Sequence, residues 1–473
     1  MRTEKAKLFA TLPPTHEAEA NALLAKERQG WQTKIVVLDD DPTGTQTVHD
    51  IHVYTDNSRE NITAGFAEET SMFFILTNSR AFSVQQTQKY HQETARRLWE
   101  ISQTTGKDFL LISRSDSTLR GHYPLETETL RQTLEAEGAR PFDGEILMPY
   151  FQEGGRFTIH DVHYVEEGDY LTPAGETEFA RDATFGYQSS NLKDYVQEKT
   201  HGIWQAEQVL SISLAELRQG QIPSIVEKLK QATHFQKIIV NAAAPADVKI
   251  FAVALLRAWK QGKRFLFRTA AAWPKVIGGV LDKPLLTREE IVLDDSHHGG
   301  LVIVGSHVQK TTAQLEALHG LPKLHFIEFH HLRALQAQEA DKEIQRVRTE
   351  AESAMQQGET AIVYTGRKRF DAGSEEASLQ ASVRISEALT RIVKELTVRP
   401  SFLIAKGGIT SSDIATKGLH IRQALVLGQA APGVPVWQTG SESKFVRMAY
   451  VIFPGNVGTV TTLRELVARF NHA

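Results

Sequence analysis

The sequence predicts an α/β protein of two domains, each built on a mostly parallel sheet flanked by helices. Three observations lead to this fold class. Short apolar runs alternate with amphipathic stretches along the chain, as they do where helices connect parallel strands. Nearly every apolar run ends in a polar or glycine-rich cluster, and open parallel sheets bind ligands at that end of their strands. With 473 residues, the chain is too long for one ordinary hydrophobic core.

The apolar runs supply the predicted strands. The first half of the chain contains the runs KIVVL, MFFILT, DFLLIS, GEILM, KIIVNAAA and KRFLF. The second half contains LVIVGS, LHFIEF, TAIVYTG, SFLIAKGG, ALVLG and AYVIFPGN. Between these runs, stretches with the apolar period of a helix predict the connecting helices. The clearest of them are Val84–Gln103, Pro124–Glu137, Ala246–Gln261, Ala334–Gln357 and Glu375–Leu396.

The best domain boundary is the segment LDKPLLTREEIVLDDSHHGG, which is charged, contains proline and ends in two glycines. We therefore expect an N-terminal extension at residues 1–33 and a first domain, for substrate binding, at 34–280. A linker at 281–300 then leads to a second domain, for nucleotide binding, at 301–473.

The composition excludes several classes of protein. A net charge of −4 provides no broad positive field for nucleic acid or an acidic membrane surface. The absence of cysteine excludes disulfides, thiolate catalysis and sulfur-ligated metal sites. The apolar runs are far shorter than the ~20 residues of a membrane helix, and the polar start of the chain does not resemble a signal peptide. We therefore expect a cytoplasmic protein that binds neither membranes nor nucleic acid.

Three adjacent aspartates follow the first predicted strand, in the stretch KIVVLDDDPTGTQTV. Asp39, Asp40 and Asp41 repel one another, so a purely structural turn would not favour them. A bound cation, or the hydroxyl groups of a ligand, would make the cluster tolerable. The sequence does not show which residues, if any, hold a metal.

A second polar cluster, SRSDSTLRG, follows a strand and precedes a helix. Its two arginines are planar donors suited to a carboxylate or phosphate, and Asp116 between them can accept a hydrogen bond or a proton from a substrate hydroxyl. A structural salt bridge between Asp116 and one of these arginines is the simpler alternative. The candidate substrate-binding residues of the first half are Asp40, Asp41, Arg80, Arg114, Ser115, Asp116, Ser117, Arg120 and Arg156.

The second half has glycine turns in place of acidic clusters. Gly305-Ser306 and Gly407-Gly408 each follow a strand and precede a helix, a geometry in which backbone N–H groups can approach phosphate oxygens. Lys406 would supply positive charge there. Neither GxxxxGK[ST] nor GxGxxG occurs in the chain, and a single glycine pair is more often a structural turn. His160 and His163 are spaced like metal ligands, but they fit the wall of a strand or loop better.

Together these clusters resemble the four-carbon acid sugar kinases, a family with a substrate-binding N-terminal domain and a nucleotide-binding C-terminal domain. The matching motifs follow the family's order between Lys34 and Leu463. In the first half they are DDPTG (Asp40–Gly44), SR (Ser79-Arg80), RSDSTLRG (Arg114–Gly121), GR (Gly155-Arg156) and ARD (Ala180–Asp182). In the second half they are GS (Gly305-Ser306), GGIT (Gly407–Thr410), APGVP (Ala431–Pro435) and PGNVG (Pro454–Gly458).

Three features depart from the family pattern. Arg114 replaces a lysine, and a guanidinium orients a carboxylate differently from a point-charge ammonium. Ile409 stands where an acidic residue is common, and RTAAAW, near residue 268, replaces a glycine-rich segment. The first 32 residues have no counterpart in the pattern.

The resemblance implies ATP-dependent phosphorylation of the terminal (4-)hydroxyl of a four-carbon sugar acid such as threonate, erythronate or a 3-oxo-tetronate. The active site would lie in the cleft between the domains, with Mg²⁺ on the ATP phosphates. Asp116 or Asp41 would orient the hydroxyl and take its proton, while Arg80 and Arg114 would bind the sugar carboxylate. The residues implied for ATP are Gly305, Ser306, Lys406, Gly407, Gly408, Ile409, Thr410, Gly455 and Asn456. The oligomeric state stays open, a homodimer included.

Two other functions stay open from the sequence. DDDPT also fits the D-x-D-x-T motif of haloacid-dehalogenase-like phosphatases, with Asp39 as the nucleophile and Asp41 and Mg²⁺ beside it. That interpretation leaves the glycine turns and SRSDSTLRG unexplained. The other alternative is a non-catalytic sugar-acid-binding protein that keeps the binding cleft without turnover.

Overall fold

A computed structural model gives the fold of the chain and describes residues 2–293, 297–305, 309–366, 375–455 and 457–471. The chain divides into two compact units. The first unit comprises Met1–Gly44 and Asp56–Asp282, and the second comprises Thr45–Thr55 and Lys283–Ala473. The predicted class, two α/β domains with mostly parallel strands and flanking helices, is confirmed.

The strands of the described residues have the following bounds. They are β1 (Thr3–Glu4), β2 (Lys34–Asp39), β3 (Ile51–Tyr54), β4 (Met72–Leu76), β5 (Phe109–Arg114), β6 (Gly144–Met148), β7 (Arg156–Ile159), β8 (Val162–Glu167), β9 (Tyr170–Pro173), β10 (Leu210–Ile212), β11 (Gln236–Val240), β12 (Phe265–Thr269), β13 (Leu301–Val304), β14 (Leu324–Phe329), β15 (Thr360–Thr365), β16 (Leu403–Lys406), β17 (Gln423–Ala431), β18 (Val434–Thr439) and β19 (Ala449–Phe453).

The helices of the same residues are mostly α-helices. They are α1 (Lys5–Ala10), α2 (Glu17–Glu27), α3 (Arg59–Ala67), α4 (Val84–Thr105), α5 (Leu125–Ala136), α6 (Leu192–Lys199), α7 (Leu214–Arg218), α8 (Ile222–Gln231), α9 (Pro245–Lys260), α10 (Ala272–Gly278), α11 (Arg288–Ile291), α12 (Gln309–Glu316), α13 (His331–Ala334), α14 (Ala337–Gln356), α15 (Glu375–Glu395), α16 (Gly408–Asp413) and α17 (Thr462–Phe470). Short 3₁₀ turns lie at Pro42–Thr45, Ser79–Ala81, Gln152–Gly154, Ala174–Glu176, Glu178–Arg181 and Ala206–Gln208, and a π-helical turn lies at Ile414–Gly418.

The main sheet of the first unit has the strand order β10-β11-β6-β12-β5-β2-β4, with all neighbours parallel. Every residue of β2 is buried, as expected of a parallel strand covered by helices on both faces. Along the chain, β4 is added on one side of β2 and β5 on the other. The order of the strands therefore reverses between β2 and β5, and ligands bind beyond the carboxyl ends of strands at such a switch point.

A small antiparallel sheet, β1-β9-β8-β7, also belongs to the first unit. We call it the small sheet. Its strands are short and carry many polar residues, so they give no strong apolar signal, and the sequence did not predict them as a sheet. Arg156 is the first residue of β7.

The sheet of the second unit has the order β3-β17-β18-β19-β16-β13-β15-β14. The strands from β19 to β14 are parallel, whereas β3, β17 and β18 join as antiparallel neighbours. Here the strand order reverses between β13 and β16, so the second switch point lies at the turns that follow these two strands.

The five predicted helices are observed as α4, α5, α9, α14 and α15, with ends shifted by a few residues. The sequence explains the bounds of α4. Ser83 and Gln86 form a capping box at its start, and Gly106, with φ +66°, ends it in the left-handed region. None of the described helices combines the length and the apolar character that crossing a membrane requires.

Residues 45–55 come early in the chain but complete the sheet of the second unit. β3 pairs with β17 from Ile51↔Val426 to Tyr54↔Gln423. Upstream of β3, the buried hydroxyl of Thr45 accepts a hydrogen bond of 2.9 Å from Nε1 of Trp437. The sequence does not indicate that these residues belong to the second unit, because a strand of four residues does not reveal its partner.

Thr45→Val should destabilise the second unit. The substitution keeps the volume but leaves the buried indole N–H of Trp437 without its acceptor, which costs about 1–3 kcal/mol. Urea denaturation followed by tryptophan fluorescence should show this loss. The control Thr11→Val removes a solvent-exposed hydroxyl and should change the free energy of unfolding by less than about 0.5 kcal/mol. Equal stability of the two variants would contradict the assignment.

Candidate functional site

The aspartate cluster lies at the carboxyl end of β2, at the switch point of the first unit. Nη1 of Arg114, the last residue of β5, is 3.1 Å from Oδ1 of Asp39, 3.5 Å from Oδ1 of Asp40 and 3.8 Å from Oδ1 of Asp41. Arg80, just after β4, forms ion pairs with Asp41 and, at 3.4 Å, with Asp40. Two guanidiniums thus offset the repulsion among the three carboxylates.

Asp39 is the most enclosed member of the cluster. It is 1% exposed, and a Cβ at Gly44 would overlap its carboxylate. Burial raises the pKa of Asp39 to about 7, although the charge of Arg114 opposes the rise. A phosphatase nucleophile must reach its substrate and be ionised. The position of Asp39 therefore argues against the phosphatase alternative.

Asp116 follows β5 and uses its two carboxylate oxygens differently. Oδ2 accepts hydrogen bonds from the hydroxyl of Thr118 and, at 2.7 Å, from Nε of Arg120. Oδ1 lies 3.7 Å from Nη1 of Arg80, beyond hydrogen-bonding distance. Burial acts to raise the pKa of Asp116, but Arg120, Arg80 and Thr118 outweigh it and hold the pKa below its usual range. The structural salt bridge is present, yet it leaves one ionised oxygen able to accept another hydrogen bond.

Arg156 carries the least compensated charge of the site. It is 8% exposed, Nη1 donates to the carbonyl of Gly154, and Nε has no hydrogen-bond partner. Among the described residues, no carboxylate lies within ion-pair distance of its guanidinium. Burial lowers the pKa of Arg156, and the charge of Asp116 opposes this effect. Both Arg156 and Arg120 lie against the ring of Phe179, at 5.5 and 5.0 Å from its centroid.

The histidine pair is structural. His163 is fully buried in β8, and burial lowers its pKa to about 4. Nε2 lies 2.7 Å from the carbonyl of Ser117, so this nitrogen carries the proton, and Nδ1 accepts from the hydroxyl of Thr158 at 3.0 Å. His163 thereby connects the small sheet to the loop that holds Asp116. His160 lies in the turn between β7 and β8, with φ +53°.

Sequence reasoning missed a buried ion pair beneath the cluster. Nη1 of Arg268, in β12, contacts Glu126 and lies 3.1 Å from the hydroxyl of Ser113. Glu126 also accepts from the hydroxyl of Ser79, the neighbour of Arg80, at 2.5 Å. A charged residue inside the apolar run FLFRT was the available signal, because a buried arginine needs a partner.

The glycine turns of the second unit lie at its switch point. Lys406, which ends β16, is fully buried; Nζ donates to the carbonyl of Pro454 at 2.9 Å and lies 3.9 Å from the ring centroid of Phe453. Burial lowers the pKa of Lys406 to about 7, and the charge of Lys310 adds to this. The amine thus supports the Pro454–Gly455 turn from below.

The turn between β16 and α16 has open space beside Gly408. Gly407, with φ +118°, precedes α16, and a Cβ added at Gly408 would meet no atom within 4 Å. Gly305 lies so close to Thr410 that a Cβ added at Gly305 would overlap the threonine hydroxyl. Ile409, next to Gly408, is 68% exposed.

The start of α12 approaches the same region. The hydroxyl of Thr311 lies 3.4 Å from the carbonyl of Gly455, and Lys310 is exposed on the first turn of the helix. Sequence reasoning did not single out Lys310, although its position just after a glycine turn was the signal. Ser306 and Asn456, both predicted for ATP, lie outside the described residues.

The structure brings most of the predicted residues together within their own unit. In the first unit these are Asp40, Asp41, Arg80, Arg114, Ser115, Asp116, Ser117, Arg120 and Arg156, and in the second they are Gly305, Lys406, Gly407, Gly408, Ile409, Thr410 and Gly455.

A metal ion does not fit the aspartate cluster. Among the described residues, Asp39, Asp40 and Asp41 are the one group of three or more potential ligands whose donor atoms lie within 4.8 Å of one another. Their oxygens are hard donors of the kind Mg²⁺ prefers. The guanidinium of Arg114, however, already lies within 3.8 Å of all three carboxylates. It provides the positive charge that a cation would bring.

Asp39→Asn should make the stability less dependent on pH. Because burial raises the pKa of Asp39 to about 7, the folded state holds this proton more tightly than the unfolded state. The resulting stability is present below the unfolded pKa of about 4 and is lost as the pH rises through the folded value. The wild type should lose up to about 4 kcal/mol of unfolding free energy through this group between about pH 4 and pH 8, and the variant should not.

Urea denaturation across this pH range measures the effect. The control Asp108→Asn changes an exposed aspartate at the opposite end of β5 and should keep the wild-type pH dependence. If the free energy of unfolding depends on pH equally in Asp39→Asn and in the wild type, the raised pKa of Asp39 is refuted.

Two family models match the chain. One, described as a sugar-binding N-terminal domain, matches residues 35–276, and the other, described as a nucleotide-binding C-terminal domain, matches residues 301–463. No curated protein sequence matches the chain.

Two solved structures share the fold. A Salmonella typhimurium LT2 protein, provisionally named a tRNA synthase, aligns with a TM-score of 0.67 and 15% identity over 93% of this chain and 100% of that one. The Haemophilus influenzae protein HI1011, of the family DUF1537, aligns with a TM-score of 0.60 and 16% identity over 92% of this chain and 100% of that one. At such identities the similarity concerns the fold alone. The two domain matches, which follow one another along most of the sequence, establish that the chain belongs to the four-carbon acid sugar kinase family, with a sugar-binding and a nucleotide-binding domain.

Proposed function

We propose that the protein transfers the terminal phosphoryl group of ATP to the 4-hydroxyl of a four-carbon sugar acid. The observation that carries this proposal is the pairing of a hydrogen-bond acceptor with an anion site in the sugar-binding domain. Among the described residues, none hydrogen-bonds Oδ1 of the ionised Asp116, and no carboxylate lies within ion-pair distance of the buried Arg156. A sugar acid has a carboxylate at one end and a hydroxyl at the other, and both groups would find a partner here.

Arg156 is the best residue to bind the sugar carboxylate. A buried charge without a counter-ion is unfavourable, so an anionic ligand gains from pairing with it. Arg114, in contrast, already forms ion pairs with three aspartates and is 3% exposed. We therefore assign Arg114 to holding the cluster and Arg156, with Arg120 across the ring of Phe179, to the carboxylate.

Asp116 would orient the attacking hydroxyl. Its lowered pKa keeps it ionised, so Oδ1 is always a hydrogen-bond acceptor. In phosphoryl transfer the protein contributes mainly positioning and charge stabilisation, so a weakly basic acceptor is sufficient. Asp41, which has a partly exposed carboxylate, would accept a hydrogen bond from a second hydroxyl of the polyol.

The second unit would hold the nucleotide through the turns at its switch point. The open space beside Gly408 would allow close approach of a phosphate, and Lys310 would add positive charge from the first turn of α12. Lys406 would shape the Pro454–Gly455 turn from its buried position. Because Arg114 occupies the aspartate cluster, any Mg²⁺ would arrive with the nucleotide phosphates, as this ion usually does.

A screen for ADP release tests the proposal. The wild type is incubated with ATP and, in turn, D- and L-threonate, D- and L-erythronate, and their 3-oxo forms. We expect at least one acid to raise ADP formation well above that with ATP alone. Calorimetric binding of an acid without ADP formation would favour the non-catalytic alternative. Phosphate release from a generic phosphomonoester without ATP would favour the phosphatase.

Asp116→Asn should reduce kcat by about 10²–10⁴-fold, because the amide lacks the negative charge that activates and orients the hydroxyl. The Kd for ATP should stay within about twofold of the wild type, since no nucleotide contact is assigned to this residue. Steady-state kinetics and calorimetry measure the two quantities. Asp108→Asn, at the opposite end of β5, is the matched control and should keep the wild-type kcat. Normal turnover by Asp116→Asn would remove Asp116 from the mechanism.

Lys310→Met should weaken ATP binding about three- to tenfold, because one solvent-exposed charge contact contributes roughly 1 kcal/mol. The binding of the sugar acid should not change. The control Lys342→Met removes an exposed lysine from α14, where no nucleotide contact is assigned. Isothermal titration with ATP at two ionic strengths measures the effect, which should shrink as salt increases. Equal ATP affinity of the two variants would show that Lys310 is not in the nucleotide site.

A further inference from the structure

The N-terminal strap, residues 2–31, lies outside both family matches but is packed on the first unit. The sugar-binding match begins at residue 35. Ahead of it, β1 adds a strand to the small sheet, with the pairs Thr3↔Leu171 and Glu4↔Tyr170. Further along, α2 packs against α9. The strap therefore connects the small sheet to a helix of the main sheet.

At the small-sheet end, the strap contacts both sides of Arg156. The ring of Phe9 packs edge-on against Phe157, the next residue in β7, with centroids 5.3 Å apart. Nζ of Lys5 lies 2.7 Å from Oε1 of Glu166 and 5.0 Å from the ring centroid of Phe157. Glu166 follows Val165, the register partner of Arg156 in β8. The strap thus holds both strands that fix the backbone of Arg156.

At the other end, the strap is anchored on α9. Ala20 and Leu24 of α2 are buried, and Glu27 forms ion pairs of 3.0 Å with Arg257 and 2.9 Å with Lys260. The rings of Trp31 and Trp259 lie 5.8 Å apart. These contacts fix the second half of the strap on α9.

The strap adds support to the small sheet. A short antiparallel sheet needs a hydrophobic face or packing against a helix to be stable in water, and the strap packs Phe9 of α1 against Phe157 of β7. The side chain of Arg156 cannot correct a shift of the strand, because its one hydrogen bond to the described residues is to the carbonyl of Gly154, two residues away. The position of the guanidinium therefore follows the backbone of β7.

We propose that the N-terminal strap positions Arg156 to bind the carboxylate of the sugar acid. Lys5 and Phe9 are positioning residues, because they act through β7 and β8 and have no contact with Arg156's guanidinium among the described residues. The inference rests on the proposed function for the identity of the anion. The support that the strap gives to the small sheet can be tested independently of the proposed function.

The test compares two variants of the full chain by calorimetry and kinetics. In Lys5→Met/Phe9→Ala, the contacts with Glu166 and Phe157 are lost. Its Kd and KM for the best sugar acid of the ADP screen should rise about three- to tenfold, since small misplacements of a binding group have effects of this order or larger. Its kcat and its Kd for ATP should change less than about twofold. The control Glu17→Gln removes the ion pair with Lys249 at the anchor end and should leave all four quantities unchanged.

A double-mutant cycle separates positioning from general loss of stability. If the strap acts through Arg156, adding Lys5→Met/Phe9→Ala to Arg156→Ala, which has no charge left to position, should raise the sugar-acid Kd no further than Arg156→Ala alone. Lys5→Arg, which keeps the charge, should retain the wild-type Kd. Additive effects, or an unchanged Kd in the folded double variant, would overturn the proposal. If the double variant does not fold, the single variant Lys5→Met is measured in the same way, because its side chain is partly exposed.

Hydrogen exchange tests the structural half without a substrate. The amides of Thr158 and Glu166 should exchange faster in Lys5→Met/Phe9→Ala, while those of β2 and β5 should not change. If the wild type neither binds nor phosphorylates any sugar acid, the proposed function fails together with the assignment of the anion. If the wild type is active and exchange at the small sheet is unchanged, the role of the strap alone fails.

Discussion

The placement of Arg114 and Arg80 beside three consecutive aspartates is the constraint on which the site of the first unit depends. Parallel strands in the order β5-β2-β4 bring the two arginines to the carboxyl end of β2. Burial raises the pKa of Asp40, and the charges of the two arginines oppose this rise and offset the repulsion among the carboxylates. The same arrangement leaves Asp116 next to Arg80 with one oxygen uncommitted. The chemistry of the cluster is therefore set by one arginine at the end of β5 and another just after β4.

Charge compensation also separates structural groups from binding groups. Arg268 with Glu126, and Arg114 with Asp39, are buried pairs in which each charged group has a partner of opposite charge. Arg156 is equally buried, yet the described residues give it no carboxylate. In the second unit, Lys406 is committed to a backbone carbonyl and to the ring of Phe453, whereas Lys310 is exposed nearby. These contrasts are the basis for the supporting role that we propose for the first four residues and Lys406, and for the ligand-binding role that we propose for Arg156. Lys310 is proposed for its exposed position on the first turn of α12.

Much of the site could be predicted from the sequence because its residues directly follow strongly apolar strands. The runs KIVVL and DFLLIS locate Asp40 and Asp116 at the same sheet edge, and SFLIAKGG does so for Gly407 and Gly408. The roles of individual arginines could not be predicted. An arginine that is close to an aspartate in the sequence can form an ion pair with that aspartate. It can also pair with an aspartate of another strand, as Arg114 does. Likewise, Arg268 and Glu126 are separated by 142 positions, and nothing local indicates their pairing.

The sequence by itself determined the α/β class, the order of the main strands and helices, and the clusters at strand ends, because these follow from local apolar periodicity and turn composition. Only the tertiary structure decided that residues 45–55 complete the second sheet, that β7, β8 and β9 form a small sheet, and that β1 of the N-terminal strap joins it. These are pairings between short, weakly apolar segments. Their stability comes from distant partners, so no local pattern reveals them.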